Sequence, residues 1–319
     1  MTSLAYRHQR VQRLRRLVGR RSARADEGRC VIEGANLLDE ALKAHAPIEA
    51  VYLDAGWSSA RGAAAEPGPD GYRTARLAWP EPEPASPLRQ ARLSGLVAQC
   101  YEQGARVFEL EAGVLARVAG TVTPQPVIAV VGMPVCTMAD VGAAHPRLLV
   151  VCIDVRDPGN AGTVVRSAWA AGADAVVCCE GTVDVWNPKA VRSSAGAVLH
   201  VPVVSAGPAT EVLTEMGEWG LARLGTAATG GADYAHTDLT RPTALVLGNE
   251  AAGLALAELS SYLDGVVSVP MAAGAESLNV GMEAAVLCFE AARQRRQATT
   301  VPVVMPGHED GGTGKLAGI

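Results

Sequence analysis

V-V-S-V-P-M-A-A-G-A-E-S-L-N-V-G-M-E-A-A-V-L-C-F-E-A-A-R-Q-R-R, residues 266–296, begins as a short apolar strand, passes through a Gly/Ala loop and enters a long helix at Ser277-Leu278-Asn279. The helical part places Val280, Ala284, Leu287, Cys288 and Ala291 on one face. It ends in Arg293, Arg295 and Arg296, whose charge suits the negative end of a helix dipole. Two earlier stretches share this layout: D-P-G-N-A-G-T-V-V-R at 157–166 and L-V-L-G-N-E-A-A-G-L at 245–254. Each joins an apolar strand to a polar, Gly-bearing turn and then a helix. Three such junctions imply one ligand site at the carboxyl ends of a mostly parallel sheet.

The chain has 319 residues, 49% of them hydrophobic, enough for one large domain or two ordinary ones. Aromatics are scarce, so the core must be built from small aliphatics. The net charge of -5 excludes a protein that is basic throughout. Residues 1–29 nevertheless hold nine Arg against Asp26 and Glu27, a basic arm on an acidic body. A nucleic-acid backbone is one natural partner for such an arm, and a solvated amphipathic helix is the other reading. The seven Cys include no C-x-x-C pair and mostly sit in apolar runs, implying reduced thiols with neither a disulfide framework nor a zinc site. No apolar run approaches the ~20 residues of a membrane helix, and no hydrophobic core follows the N-terminal arginines as in a secretory signal. A reduced, cytoplasmic protein is expected, without membrane or metal.

Residues 4–24 read as a basic helix, followed by strands at 30–32 and 48–53 with a helix, 37–44, between them. Residues 55–90 are dominated by Gly, Ala, Pro and Ser and read as a flexible insertion. Order resumes with a helix near 91–103 and a strand at 105–108, so 1–118 forms a small α/β domain. Residues 119–147 read as linker and junction, although the apolar run at 127–131 suits either domain. From Leu148 to about 297 strands and helices alternate in the buried, parallel style, and 298–319 reads as a disordered tail.

Each polar junction has a structural as well as a chemical reading. Asn160 suits an N-cap and Arg166 a surface position; equally, an Arg there can grip a phosphate with two parallel bonds. Gly162, in the first helical turn, lets another group approach the backbone. Glu250 can cap a helix or meet a ligand. Ser277 is a natural N-cap, which leaves Asn279 free to face the crevice with donors and an acceptor. Gly225-Thr226, after a strand at 221–224, could line the same crevice. His200 and His236 read as core or loop residues. No G-x-G-x-x-G, Walker, G-x-S-x-G or H-E-x-x-H sequence occurs.

The three stretches, in this order, resemble the motifs of the SpoU (TrmH-like) RNA ribose 2′-O-methyltransferases over about 148–296. The intervening N-P-K-A-V-R-S-S-A-G-A-V-L-H-V-P-V is similar too, and the front domain more loosely resembles the family's substrate-binding domain. The insertion at 55–90 departs from the compact family pattern. The resemblance implies a deep trefoil knot in the C-terminal α/β domain, a homodimer, and S-adenosylmethionine as cofactor. It implies Asn160, Arg166, Glu250, Ser277 and Asn279 as catalytic residues. Gly225, Thr226, Gly248, Val269, Met271 and Leu278 are then expected around the cofactor, and Arg13, Arg16, Arg20 and Arg21 on RNA. Arg166 is expected to stabilise charge rather than act as base, because a guanidinium hardly deprotonates. The implied reaction is methyl transfer to a ribose 2′-hydroxyl of structured RNA, with 23S ribosomal RNA ahead of tRNA. A non-catalytic RNA-binding or assembly factor on the same fold is the rival, and a nucleotide-cofactor α/β enzyme a more distant one.

Overall fold

The computed structural model describes residues 3–55, 87–119, 121, 123–273 and 276–299. Most of the insertion expected at 55–90, and all but the first two residues of the tail expected at 298–319, therefore lie outside the described residues. Residues 87–90 are helical, opening a helix at Pro87–Glu102, so the insertion ends earlier than its composition implied.

The front of the chain builds a four-stranded sheet from β1 (Arg29–Glu33), β2 (Ile48–Asp54), β3 (Arg106–Leu110) and β4 (Val127–Gly132). Its order is β1-β4-β2-β3. The run at 127–131 is thus an inner strand of this sheet, antiparallel to both β1 and β2, within the stretch expected as linker. Residues 4–24 were expected as one helix but form most of two, α1 (Gln9–Gly19) and α2 (Arg21–Glu27). The break follows Gly19, a poor helix former, and Arg20 is extended. Val11, Leu14 and Leu17 seat α1 against Val31, Ala50, Tyr52, Ile128 and Val130. The helices α3 (Ala35–Lys43), α4 (Pro87–Glu102) and α5 (Val114–Val118) complete this half, and α6 (Met138–Ala143) leads into the next.

The second half forms a seven-stranded, all-parallel sheet. Its strands are β5 (Leu148–Cys152), β6 (Ala175–Cys178), β7 (Val203–Ser205), β8 (Ala222–Thr226), β9 (Ala232–Asp233), β10 (Thr243–Leu247) and β11 (Gly265–Ser268). The order β7-β6-β5-β10-β8-β11-β9 sets β5, β10, β8 and β11 side by side. These are the strands that precede the polar turns at 157, 248, 226 and 269, so motifs up to 120 residues apart in sequence become neighbours at one sheet edge.

Side chains alternate between the two faces, as strand geometry requires. Val150, Cys152, Leu245 and Leu247 join a core with α7 (Pro158–Ala171) and the C-terminal helix (Val280–Thr299). Leu149, Val151, Ala244 and Val246 join the opposite core with Val212, Leu213 and Met216. The first core continues into Cys30, Ile32, Val51 and Ala129 of the front sheet. An ion pair fastens this junction: Arg24, 3% exposed, donates to Asp184 at 2.9 Å and to the carbonyls of Leu17 and Val18 at 2.7 and 3.1 Å. All seven cysteines are free thiols.

Candidate active site

The site begins at the start of α7. Asp157, not Asn160, is its N-cap, accepting from the amides of Gly159 and Asn160 at 2.7 and 3.0 Å, with Pro158 in the first turn. This overturns the N-cap reading of Asn160 and leaves its side chain available. Gly162 meets the expectation of close approach. A Cβ there would fall 1.9 Å from Ser193 Oγ and 2.3 Å from the carbonyl of Ala190, both on the next helix, α8 (Pro188–Ser193).

After β10 the backbone makes a tight turn closed by Asn249, whose side-chain oxygen accepts from Ala251 and Ala252 N–H. Gly248 has no room for a side chain, since a Cβ would lie 2.3 Å from the carbonyl carbon of Gly253. Glu250 caps no helix. Its carboxylate crosses to the α7 turn, taking the amides of Arg156 and Asp157 at 3.1 and 2.9 Å and Asn160 Nδ2 at 3.1 Å.

The C-terminal helix, called α11 below after α9 (Ala209–Glu218) and α10 (Leu256–Leu259), begins at Val280. Asn279 caps it, its Oδ1 accepting from Gly281 N at 2.9 Å, which corrects the expectation for Ser277. Asn279 Nδ2 donates to Asn160 Oδ1 at 2.8 Å. A chain therefore runs from Glu250 through Asn160 to Asn279 and fixes both amide orientations. The carboxylate only accepts, so Asn160 must turn its NH₂ towards it and its oxygen towards Asn279. Asn279 keeps one N–H for a ligand.

Burial pushes the Glu250 carboxyl up, but the amides of Asp157 and Arg156, with Asn160, outweigh it and hold it below the usual carboxylate range. Burial raises Glu283, one turn into α11, and Thr226 only partly opposes this.

Beside this chain lies a cleft of about 300 Å³. Thr226, Gly248, Val269, Met271 and Leu278 line it, together with Glu250 and Ser277. Gly225 does not; it lies behind, where a Cβ would meet Leu263 and Leu254. Arg166 stands on the exposed face of α7 and joins neither the cleft nor the Glu250–Asn160–Asn279 chain. In the arm, Arg13 is engaged by Glu27 and Glu49, each at 2.6 Å, whereas Arg16, Arg20 and Arg21 differ in being more open: Arg16 only approaches Glu27 at 3.6 Å, and all four sit in or beside α1 and α2. Glu283 lines the cleft and was missed. Its signal was a carboxylate on the stripe of Val280, Ala284 and Leu287, where apolar residues belong.

Residues 147–289 match the SpoU rRNA Methylase family and 8–129 an MRM3-like substrate binding domain. A 23S rRNA (guanosine(2553)-2′-O)-methyltransferase RlmP of Bacillus subtilis is 38% identical over 188 residues, 59% of this chain and 73% of that protein. A 23S rRNA (uridine(2479)-2′-O)-methyltransferase of Streptomyces viridochromogenes is 38% identical over 189 residues, 56% of this chain and 64% of its own length, so the match spans less than two thirds of that relative. The solved structure of the SpoU methyltransferase AviRb from Streptomyces viridochromogenes, in complex with the cofactor AdoMet, superposes with a TM-score of 0.70 at 27% identity. That superposition covers 91% of this chain and 99% of the other.

Proposed function

The chain belongs to the SpoU rRNA Methylase family, and on that premise we propose that it transfers a methyl group from S-adenosylmethionine to a ribose 2′-hydroxyl of 23S ribosomal RNA. The observation that carries this reading is the hydrogen-bonded chain from Glu250 through Asn160 to Asn279, in which Glu250 and both sequence neighbours of Asn279, Leu278 and Val280, line a cleft. It joins all three polar turns at one edge of the sheet.

The cleft fits the cofactor. Val269, Met271, Leu278 and Leu254 give apolar walls for a flat heterocycle, and Thr226 gives a hydroxyl for its polar substituents. When bound, S-adenosylmethionine supplies an electrophilic methyl group on a positively charged sulfur. The protein's part is to hold a ribose hydroxyl in line and to stabilise the oxyanion as it forms. The remaining Asn279 N–H, and the Ser277 hydroxyl on the cleft wall, are placed to orient that oxygen. Glu250 keeps the α7 turn and both asparagines in register. Arg166 grips the neighbouring phosphate and supplies positive charge.

The front domain, with Arg16, Arg20 and Arg21 open at one end, presents the RNA. Trp169 on α7 and Met282 and Phe289 on α11 are large apolar side chains 42, 56 and 47% exposed, which suits these helices to contact with a second copy. We therefore assign a homodimer, which brings further groups towards the exposed Arg166, and with the family its knotted C-terminal segment. Among the described residues no helix is long and apolar enough to cross a membrane, and a cytoplasmic setting, where ribosomal RNA is handled, suits the reading.

The test supplies tritiated S-adenosylmethionine with separate pools of unmodified large-subunit rRNA, small-subunit rRNA and tRNA. Label confined to large-subunit rRNA is expected. Label confined to tRNA would overturn the substrate class, and no label despite cofactor binding would favour a non-catalytic RNA-binding role.

A further inference from the structure

Two carboxylates line the cleft, and they are in different situations. Both oxygens of Glu250 are committed to the α7 turn. Glu283 has one hydrogen-bond donor among the described residues, the Thr226 hydroxyl at a long 3.3 Å. It sits on the buried stripe of α11 between Val280 and Leu287, 5 and 1% exposed. Burial raises its pKa, so holding it ionised there opposes folding. An alanine would fit the stripe and remove that penalty. A carboxylate kept at such a position, facing a ligand cleft, is the pattern of a group retained for binding.

Its place on the helix narrows the role. Glu283 follows Asn279 by one turn, and its amide donates to the Asn279 carbonyl at 2.9 Å. One helical turn rises about 5.4 Å, which sets Glu283 apart from Asn279, where the hydroxyl is handled. It faces Thr226 at the end of β8, on the inner side of the cleft. It is therefore set to receive the cofactor rather than the RNA.

We propose that Glu283 is a cofactor-recognition residue, its open carboxylate oxygen accepting a hydrogen bond from an N–H or O–H group of S-adenosylmethionine. The proposal rests on the reading of the cleft as the cofactor site. Three parts of the cofactor carry such donors: the adenine amino group, the ribose hydroxyls and the methionine ammonium group. Thr226 holds the other side of the carboxylate and keeps it turned into the cleft.

The experiment is calorimetric titration of the full chain and its Glu283→Gln and Glu283→Ala variants with S-adenosylmethionine, S-adenosylhomocysteine and 5′-methylthioadenosine. Loss of a charge-assisted hydrogen bond weakens binding by about tenfold or more in E283A, and by a smaller factor in E283Q, which keeps an acceptor. Weakening of all three ligands assigns the donor to the adenosine part; weakening of the first two alone assigns it to the ammonium group. Melting curves of the ligand-free variants separate recognition from scaffolding. E283Q is expected to melt at or above the wild-type temperature while binding less tightly, whereas a structural residue would lower both. Unchanged affinity for all three ligands overturns the proposal, as does a loss confined to S-adenosylmethionine, which would indicate attraction to the sulfonium charge. A wild-type chain that binds none of the three sinks the cofactor reading itself, an outcome distinct from failure of the Glu283 assignment.

Discussion

Removing Glu250 tests whether the asparagine chain is held or merely adjacent. Glu250→Ala deletes the acceptor of the Arg156 and Asp157 amides and of Asn160 Nδ2. Hydrogen bonds to a charged group contribute about 1.5–3 kcal/mol each, but these lie at a partly open turn where water replaces some of them. The expected loss of stability is therefore about 2–3 kcal/mol, or about 4–12 °C in melting temperature for a domain of this size. The effect on rate is larger. Asn160 loses the partner that fixes its amide, and Asn279 then loses its alignment. A displacement on the order of 1 Å at a reacting group lowers turnover about a hundredfold.

Glu250→Gln separates geometry from charge. In its better rotamer the carbonyl oxygen still serves Asp157 and Asn160, and only the Arg156 amide faces an NH₂ group. About 1–2 kcal/mol of stability is lost, and turnover stays within about tenfold of wild type. The assay is single-turnover methyl transfer at saturating cofactor and RNA, beside melting curves. An E250A variant that melts lower yet turns over like wild type would refute the positioning role. Equal damage in E250Q and E250A would show that charge, not the hydrogen-bonded frame, is what the site needs.

Arg166→Ala should leave melting unchanged, since the side chain is exposed, while lowering turnover at least a hundredfold and RNA affinity only in part; an unchanged rate would remove it from the site. Gly162→Ala should destabilise by about 3 kcal/mol or more, because its Cβ would overlap Ser193 Oγ and the Ala190 carbonyl and force α7 and α8 apart; thermal unfolding measures this. Asp184→Asn should cost about 3 kcal/mol by leaving the Arg24 guanidinium buried and half-partnered, with the front and catalytic domains then melting separately in calorimetry. The Glu250 frame should also set an acid limit. Its folded pKa is depressed, so its contribution is fully present above the unfolded value of about 4.3 and fades as pH falls through the lower folded value. Cofactor affinity is expected to be flat between about pH 5 and 8 as far as Glu250 is concerned, and a loss between pH 7 and 6 in the E283Q variant would contradict that.

Most of the parallel strands were legible because β5, β6 and β10 are unbroken apolar runs buried along their whole length, whereas the two-residue β9, Ala232–Asp233, carries no such signal. What periodicity cannot carry is strand order. Nothing local states that β10 inserts between β5 and β8, and that insertion is what brings Glu250 to Asn160. The caps at Asn160 and Ser277 were misplaced for a related reason. Asp157 and Asn279 compete for the same helix ends, and cap chemistry alone does not rank neighbouring polar residues. The run at 127–131 was ambiguous because an inner strand with antiparallel neighbours, covered on both faces, reads like a parallel one. Glu283 was overlooked although it breaks the apolar stripe of its helix, the kind of local inconsistency that marks a functional position.

The most direct measurement is where the methyl group ends up. RNA from a wild-type reaction, digested to nucleosides and resolved by mass spectrometry, should contain one 2′-O-methylribose in large-subunit rRNA, at a linkage that resists alkali. An Asn279→Ala enzyme of unchanged cofactor affinity should leave that ribose unmodified. Methyl on a base, or on ribose at the same rate without Asn279, would contradict the account.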